Sequence, residues 1–367
     1  MVRRPNVLHR TVSPPPDTLA DEMNPPLHDA PSSSDPPTEN VSPPPPGHPF
    51  GVSNVLFGPD GLRAGWGIAL FLICWEALFH GLYPWISAVV PGLTGKAGLI
   101  SPGSAFVYEG VGVVCVAAAT WLMAKIEHRP VTAYGLARQE GLRYFCIGLG
   151  CGVALLSLLI VILRGTGLLV FDARVLFGGR ALGYGVVWLV GFLLVGLVEE
   201  LLNRGYLQFT LTRGLSAVYR WLFGATHADA LGFWTAALIL SFAFGFAHRA
   251  NPGESPLGLL SAGLAGFLFC LSLWRTGSLW WAIGFHAAWD WAQSFLYGVA
   301  DSGLMIQGHL YATHPAGQPY LSGGLTGPEG SIFLLPIIAA GVAAVLLALP
   351  RTHFGYPSPG PRRPALH

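Results

Sequence analysis

The first residues that could carry chemistry are two adjacent carboxylates at the end of an apolar run, Glu199 and Glu200. Arg204 follows Glu200 by four residues, the favourable order for an ion pair within a helix, so we expect these two to be structural partners. Glu199 is turned about 100° around the helix and has no such local partner. An unpaired carboxylate in an apolar site suits a general base. The alternative for the whole group is a helix end solvated at the membrane surface.

Two histidines lie in later apolar stretches, each at helical spacing from a second residue. His248 follows Phe244 by four residues, and His286 precedes Asp290 by four. The carboxylate of Asp290 can therefore fix the orientation and tautomer of the His286 imidazole. Taken alone, each histidine is equally compatible with a side chain satisfied by a carbonyl group or by water. Together, a glutamate, two histidines and an aspartate provide the parts for water activation and oxyanion stabilisation.

Other polar or reactive side chains in the apolar stretches are interpreted as structural. Glu76 and His80 share the same spacing and are expected to be structural or substrate-lining. The cysteines are odd in number, lack CxxC spacing and read as small buried hydrophobic residues, not as a disulfide framework or zinc site. They are Cys74, Cys115, Cys146, Cys151 and Cys270.

The composition indicates that the elements carrying these residues lie in a membrane. Hydrophobic residues make up 52% of the chain and charged residues only 11%. Soluble domains carry roughly 25% charged residues, so a water-soluble fold of this length could not cover its surface. The formal net charge is +1 and no basic tract stands out, which argues against a nucleic-acid partner and leaves the lipid bilayer as the expected environment.

The apolar runs are long enough for helices that cross the bilayer, which need about 20 residues each. Continuous runs of this length fit helices better than barrel strands. We therefore predict an all-α membrane protein, a polytopic bundle of about eight transmembrane helices. The predicted spans are Ala64–Val89, Ala105–Ala124, Phe145–Leu163, Leu182–Leu202, Leu231–His248, Leu257–Leu273, Leu279–Tyr297 and Ile332–Leu349.

The segments around these spans predict the domain organisation and the topology. Residues 1–55 are rich in Pro and Ser and are expected to be a disordered proline-rich tail, followed by the membrane domain over 56–350 and a short C-terminal tail over 351–367. With both termini in the cytoplasm, fifteen of the 20 Lys and Arg residues fall in inner segments, which the positive-inside rule favours. The plasma membrane is the expected location, with the endoplasmic reticulum as the alternative.

One depth does not fit this topology. Glu199 and His286 are expected near the cytoplasmic face, whereas a helix that starts at Leu231 would carry His248 to the outer face. A shared site requires similar depths. We therefore expect the stretch Trp221–Trp234 to re-enter the membrane or to start deep within it, which is allowed where the backbone lines a water-filled cavity.

In their order and spacing these motifs resemble the CPBP family of intramembrane glutamic proteases, the relatives of the CAAX prenyl endopeptidases. The family motifs EExxxR, FxxxH and HxxxN or HxxxD correspond to Glu199-Glu200…Arg204, Phe244…His248 and His286…Asp290. The resemblance extends from about Leu182 to Ser294.

The resemblance implies a function and a role for each residue. Glu199 would be the general base and would polarise the attacking water with His248, while His286 and Asp290 would stabilise the oxyanion or orient its donor. Asp290 stands where well-studied relatives have Asn, and an ionised carboxylate cannot donate a hydrogen bond to an oxyanion, so we expect Asp290 to hold His286 or to be protonated. The scheme needs no metal or other cofactor, and its substrates would be peptides or proteins, membrane-embedded or lipidated ones included.

The sequence disfavours some other functions and leaves others open. HExxH, the motif of zinc intramembrane proteases, is absent, as are a GxGD motif and a GxSG-type serine. A metal site built from Glu199, His248 and His286 stays open on the residue types alone. So does a non-catalytic scaffold or immunity-type protein with the same fold. A transporter is less favoured because the sequence has no evident repeat.

Overall fold

The computed structural model describes residues 55–58, 61–90, 98–137 and 139–350. These residues form a mostly helical membrane protein, which confirms the predicted fold class. The predicted tails at 1–55 and 351–367 lie outside the described residues, apart from Val55. The helices are α1 Ala64–Val89, α2 Pro102–Ile126, α3 Gly141–Gly165, α4 Gly178–Glu200, α5 Gln208–Phe223, α6 Ala228–Ala247, α7 Pro256–Thr276, α8 Trp280–Asp290 and α9 Leu334–Ala348, beside one helical turn at Pro319–Ser322.

Six helical segments among the described residues are long and apolar enough to cross a membrane. The two remaining predicted spans are also helical, but they are shorter. One is α8 with its π-helical extension Trp291–Leu296, and the other is α9, which has 15 residues. The chain is therefore a multi-pass membrane protein with eight apolar helical segments in its described part, of which two fall short of the usual spanning length.

Two pairs of short strands lie in the segments that precede or connect the helices. Strands β1 (Phe57–Gly58) and β2 (Gly61–Leu62) form an antiparallel pair just before α1. Strands β3 (Leu169–Arg174) and β4 (Tyr311–Pro315) also pair antiparallel, with Leu169 opposite Pro315 and Arg174 opposite Tyr311. This second pair joins the connection after α3 to the long segment between α8 and α9, which supplies one wall of the cavity described below.

The predicted span Leu182–Leu202 is the first part of a longer helix. Helix α4 continues through a π-helical segment, Leu201–Leu207, into α5, so that Gly178–Phe223 is one helical run of 46 residues. The stretch Trp221–Trp234 contains the end of α5, a turn at 224–227 and the start of α6. The structure thus has a helical hairpin where the sequence suggested a re-entrant or deeply starting segment.

The hairpin accounts for the depth of His248. Helix α6 runs back along α5: Arg220 Nη1 lies 3.3 Å from Asp229 Oδ1 near the turn, and the Arg204 guanidinium lies 4.1 Å from the centre of the Phe244 ring at the far end. Because α6 retraces the length of α5, the end of α6 returns to the level of the π-helical segment. His248, one turn after Phe244, therefore lines the same cavity as Glu199 at the end of α4.

Close glycine contacts set the packing of α3 against α8. A Cβ atom added to Gly148 would overlap the carbonyl oxygen of Trp281, and one added to Gly284 would overlap that of Phe145. Small residues four apart that let backbones approach are the usual means of packing helices in lipid, where the hydrophobic effect between helices is weak. This contact holds α8, and with it His286, against the body of the protein.

Gly148→Ala is expected to destabilise the protein by roughly 1–3 kcal/mol, because the added methyl group must displace the backbone of α8. Gly150→Ala is the matched control, since the same atom added at Gly150 meets nothing within 4 Å and alanine favours a helix. Thermal unfolding of the two variants in detergent measures the difference. Equal Tm values for both would contradict the proposed α3–α8 contact.

Candidate active site

The predicted site residues come together around one cavity of about 610 Å³. Glu199 at the end of α4, His248 at the end of α6, and His286 and Asp290 on α8 line its wall, together with Phe244. Glu200 and Arg204 lie behind this wall and are fully or almost fully buried. Of the predicted site residues, five therefore face the cavity and two support them.

The two supporting residues form a buried ion pair that also holds a histidine. Arg204 Nη1 donates to Glu200 Oε1 at 3.0 Å, as the spacing predicted. The same oxygen accepts a hydrogen bond from His286 Nδ1 at 3.1 Å. A carboxylate can only accept when ionised, so this contact places a proton on Nδ1 of His286. Glu200 is thus the residue that fixes the tautomer and orientation of the imidazole, a role that the sequence had assigned to Asp290.

The other nitrogen of His286 faces two further carboxylates. Its Nε2 lies 3.5 Å from Asp290 Oδ2 and 3.7 Å from Glu199 Oε2. Both distances exceed those of a charge-assisted hydrogen bond, which is usually about 2.7–2.9 Å. Glu199 Oε2 has no hydrogen-bond partner among the described residues, although the Glu199 side chain is 31% exposed. Glu199 therefore lines the cavity while its buried Oε2 has no hydrogen-bond donor among the described residues.

His248 also lines the cavity and is held by its own helix. Its Nδ1 lies 2.8 Å from the carbonyl oxygen of Phe244, one turn earlier. Because a carbonyl oxygen can only accept, Nδ1 carries the proton and Nε2 is the nitrogen that can exchange one with a ligand. The motif spacing of four residues is therefore the spacing of this hydrogen bond.

Aromatic rings separate the two histidines and the arginine. The Phe244 ring lies 4.9 Å from that of His248 and 6.4 Å from that of His286. The Arg204 guanidinium packs over the same ring and also over Phe269. These apolar faces keep the ion pair dry and hold the imidazoles apart, so that each can serve a different atom of a ligand.

Each acidic motif is followed directly by a π-helical segment. Leu201–Leu207 follows Glu200, and Trp291–Leu296 follows Asp290. Such segments are uncommon and occur frequently at functional sites. Arg204 lies within the first of these segments and pairs with Glu200 four residues earlier. The residue pattern did not predict either π-helical segment.

The residue pattern did not predict several of the side chains that line the cavity. Glu109 on α2 lines the cavity, as do Asp301 and Glu329 from the segment between α8 and α9. Glu329 accepts from Trp289 Nε1 at 3.2 Å and from Ser302 Oγ at 2.8 Å. Glu109 carried a signal, because it is an ionisable side chain within an apolar span. Asp301 and Glu329 gave none, since polar residues in a connecting segment are ordinary.

Asp301 lies in a strongly acidic neighbourhood outside the helices. Burial, together with the nearby charges of Asp290 and Glu329, raises the pKa of the Asp301 carboxyl well above its ordinary value. Ser294 Oγ donates to it at 3.2 Å. This end of the cavity therefore gathers several carboxyl groups, of which Asp301 favours its neutral form, while His248 and His286 are the basic side chains on the described wall.

Other candidates lie away from the cavity. Glu76 and His80 pair with each other on the exposed face of α1 and do not line it. The five cysteines are unpaired, of which Cys115 and Cys270 are fully buried. Among the described residues no group of three or more His, Cys, Asp or Glu side chains is arranged to hold a metal ion.

Helices of this length around a cavity lined by a glutamate, two histidines and an aspartate have the arrangement of a membrane-embedded hydrolase. The family model of the type II CAAX prenyl endopeptidases, Rce1-like, matches residues 181–292, just under a third of the chain. All the candidate residues from Glu199 to Asp290 fall within this segment. The resemblance inferred from the three motifs is thereby confirmed, and the match supports a hydrolase of the protease class. No curated protein and no solved structure matches the chain.

Arg204→Gln is expected to destabilise the protein by about 3–5 kcal/mol, because Glu200 would remain as a buried charge without its partner. The double variant Glu200→Gln/Arg204→Gln, which removes both charges, should recover part of this loss. Unfolding by heat or SDS measures both. Arg143→Gln is the control: Arg143 bonds Glu140 at 2.9 Å on the exposed surface, and its loss should not be resolved from wild type. A single Arg204 variant as stable as wild type would contradict the buried pair.

Proposed function

We propose that this protein is an intramembrane endopeptidase in which Glu199 and His248 activate a water molecule to hydrolyse a peptide bond. The observation that carries the proposal is the position of Glu199, which lines the cavity and whose Oε2 lies 3.7 Å from His286 Nε2 without a hydrogen bond among the described residues. The family match supports proteolysis as the reaction. The roles of the residues follow those that the family resemblance implies, and the hydrogen bonds of the two histidines support them.

The reaction begins with water between Glu199 and His248. Glu199 takes a proton from the water while the water oxygen bonds to the scissile carbonyl carbon. The carbonyl oxygen then carries the negative charge. When the carbon–nitrogen bond breaks, the same proton passes from Glu199 to the leaving amine. The products are a carboxylic acid and an amine, with no covalent intermediate on the protein.

The histidines serve the two ends of this reaction. Nε2 of His248 is the nitrogen that can orient the attacking water, because Nδ1 is bonded to the Phe244 carbonyl oxygen. Nε2 of His286, when protonated, can donate to the developing oxyanion, because Nδ1 is bonded to Glu200. A donor fixed before the reaction stabilises the transition state without reorganisation, which is a large part of enzymatic catalysis.

Asp290 is assigned an electrostatic role. Its Oδ2 lies 3.5 Å from His286 Nε2, close enough to favour the protonated imidazole but too far for a strong hydrogen bond. Asp290 therefore assists the oxyanion donor and does not itself contact the oxyanion. This assignment differs from one in which an asparagine at this position donates directly.

The scheme uses no metal: Glu199 performs the proton transfers, and the imidazoles orient the water and stabilise the oxyanion. We further propose that the substrates are peptides or proteins that reach the site from within or beside the membrane, membrane-embedded or lipidated chains included. We also propose the plasma membrane as its location, and the distribution of basic residues supports an orientation with both termini in the cytoplasm.

Glu199→Gln and His248→Ala are each expected to lower peptide hydrolysis by about 10²–10⁴-fold, the usual contribution of a general base or its partner. The measurement is cleavage of a quenched-fluorescent peptide library by the full chain purified in detergent, with and without a chelator. Glu140→Gln is the control, because Glu140 is an exposed carboxylate that pairs only with Arg143 at the surface.

The outcomes separate the competing functions. Cleavage that survives chelation and disappears in both variants supports the glutamic mechanism. Cleavage lost to the chelator would assign the same residues to a metalloenzyme. Activity unchanged by both substitutions would remove Glu199 and His248 from the mechanism altogether.

Asp290→Asn should lower activity by up to about tenfold, because the amide removes the charge that favours protonated His286 but keeps the shape of the side chain and can itself donate a hydrogen bond. Asp290→Leu should lose about a hundredfold or more of kcat with little change in KM, because it removes the polar group beside the oxyanion donor. Steady-state kinetics on one peptide from the library measures both constants. Equal losses in the two variants would show that the negative charge of Asp290 is indispensable.

A further inference from the structure

Helix α1 carries an ion pair at the middle of its exposed surface. Glu76 Oε2 lies 3.1 Å from His80 Nε2, and the two side chains are 51% and 76% exposed. Glu76 is twelve residues from Ala64 and thirteen from Val89, the two ends of the helix. At 1.5 Å per residue it lies about 18 Å from either end, at the centre of a span that crosses the hydrocarbon core.

An ionisable pair in this position requires a partner. Charged and polar side chains within a membrane are costly and are normally directed to the interior of a bundle or to a water-filled cavity. The pair joins one oxygen to one ring nitrogen, so the second carboxylate oxygen and Nδ1 of His80 can each form a further bond. The residues do not line the catalytic cavity, so that cavity does not satisfy them.

The surrounding surface of α1 has the pattern of a helix-packing seam. The exposed residues along it are separated by alternating steps of four and three: Trp66, Leu70, Ile73, Ala77, His80 and Pro84. A repeat averaging 3.5 residues keeps one stripe of a helix against a partner helix throughout its length. The small residues Ala77 and Gly81 are exposed beside the pair, and a Cβ atom at Gly81 would meet nothing within 4 Å. Close approach of a second backbone is therefore possible at the level of the charges.

An exposed glycine such as Gly150 on α3 is equally open, so the acid–histidine pair is the feature that sets α1 apart among the described helices. The outward side chains of α3 and α6 include Val161, Leu238 and Phe242, which suit contact with lipid tails. Helix α1 is also the least buried of the six long apolar helices. The ionisable pair therefore distinguishes α1 from the lipid-facing surfaces of the same protein.

We propose that this seam of α1 binds α1 of a second copy of the chain, forming a two-fold symmetric dimer within the membrane. In such an interface each residue meets its counterpart's neighbour in a reciprocal way. The acid of one copy then faces the histidine of the other twice, once on each side of the axis. The pair is self-complementary in charge and in hydrogen bonding, so a second copy satisfies both groups without any other protein.

Crosslinking tests the contact independently of proteolysis. In a full-length background with the native cysteines replaced by alanine, Ile73→Cys is compared with Val161→Cys, because both parent side chains are 65% exposed. Treatment of the membranes with a short bismaleimide should link two copies through position 73 and not through position 161. Equal linking at both positions would indicate random collision. The absence of linking at 73 would overturn the dimer and assign the seam to another membrane protein or to lipid.

A second measurement addresses the charges. The double variant Glu76→Leu/His80→Leu should raise the dissociation constant of the dimer by roughly tenfold or more, since two reciprocal polar contacts are lost. Energy transfer between labelled copies in liposomes, followed over a range of protein-to-lipid ratios, gives this constant. Glu140→Gln/Arg143→Gln removes an exposed ion pair of similar length on α3 and should leave the constant unchanged. An unchanged constant in the α1 variant would reject the pair as the source of association.

Discussion

A single buried carboxylate holds the site together. Glu200 has no exposed surface, and one of its oxygens serves both Arg204, one turn later, and His286, on a helix far along the chain. A charge removed from solvent is tolerated only when its partners are in place, so the positions of α4 and α8 are coupled through this oxygen. Gly196 makes the coupling possible, because a side chain there would press on the Ile283 carbonyl oxygen at 3.3 Å. Glu199 lies beside His286 because the adjacent Glu200 must remain in contact with its own partners.

The same constraint explains the division of labour between adjacent glutamates. Consecutive residues on a helix point about 100° apart, so one of two neighbouring carboxylates can face the protein interior while the other faces a cavity. Glu200 is occupied by Arg204 and His286, and Glu199 remains only partly buried and unbonded at one oxygen. Structural support and reactivity are thus obtained from two identical side chains that differ in direction.

The sequence predicted those features that depend on local spacing. Glu200 and Arg204 pair as an i, i+4 couple, and the bond from His248 to Phe244 follows the same rule. Long apolar runs, which are also local features of the sequence, predicted the positions of the helices. The helical hairpin, the π-helical segments and the contact of Glu200 with His286 depend on tertiary packing, which spacing does not encode. The orienting role was assigned to Asp290 because it was near His286 in sequence, whereas Glu200 is nearer in space.

The hairpin of α5 and α6 has a consequence for how this segment can change. Its arms run side by side from the turn back to Arg204 and Phe244, so Glu199 and His248 are brought together by the equality of the two arms and not by their absolute length. Removing one residue from a single arm would rotate the end of that arm by about 100° and shift it by 1.5 Å. Matched changes in both arms would leave the ends together. The relative position of the two ends therefore depends on the difference in length between the arms. Both arms can become longer or shorter together as long as this difference is kept.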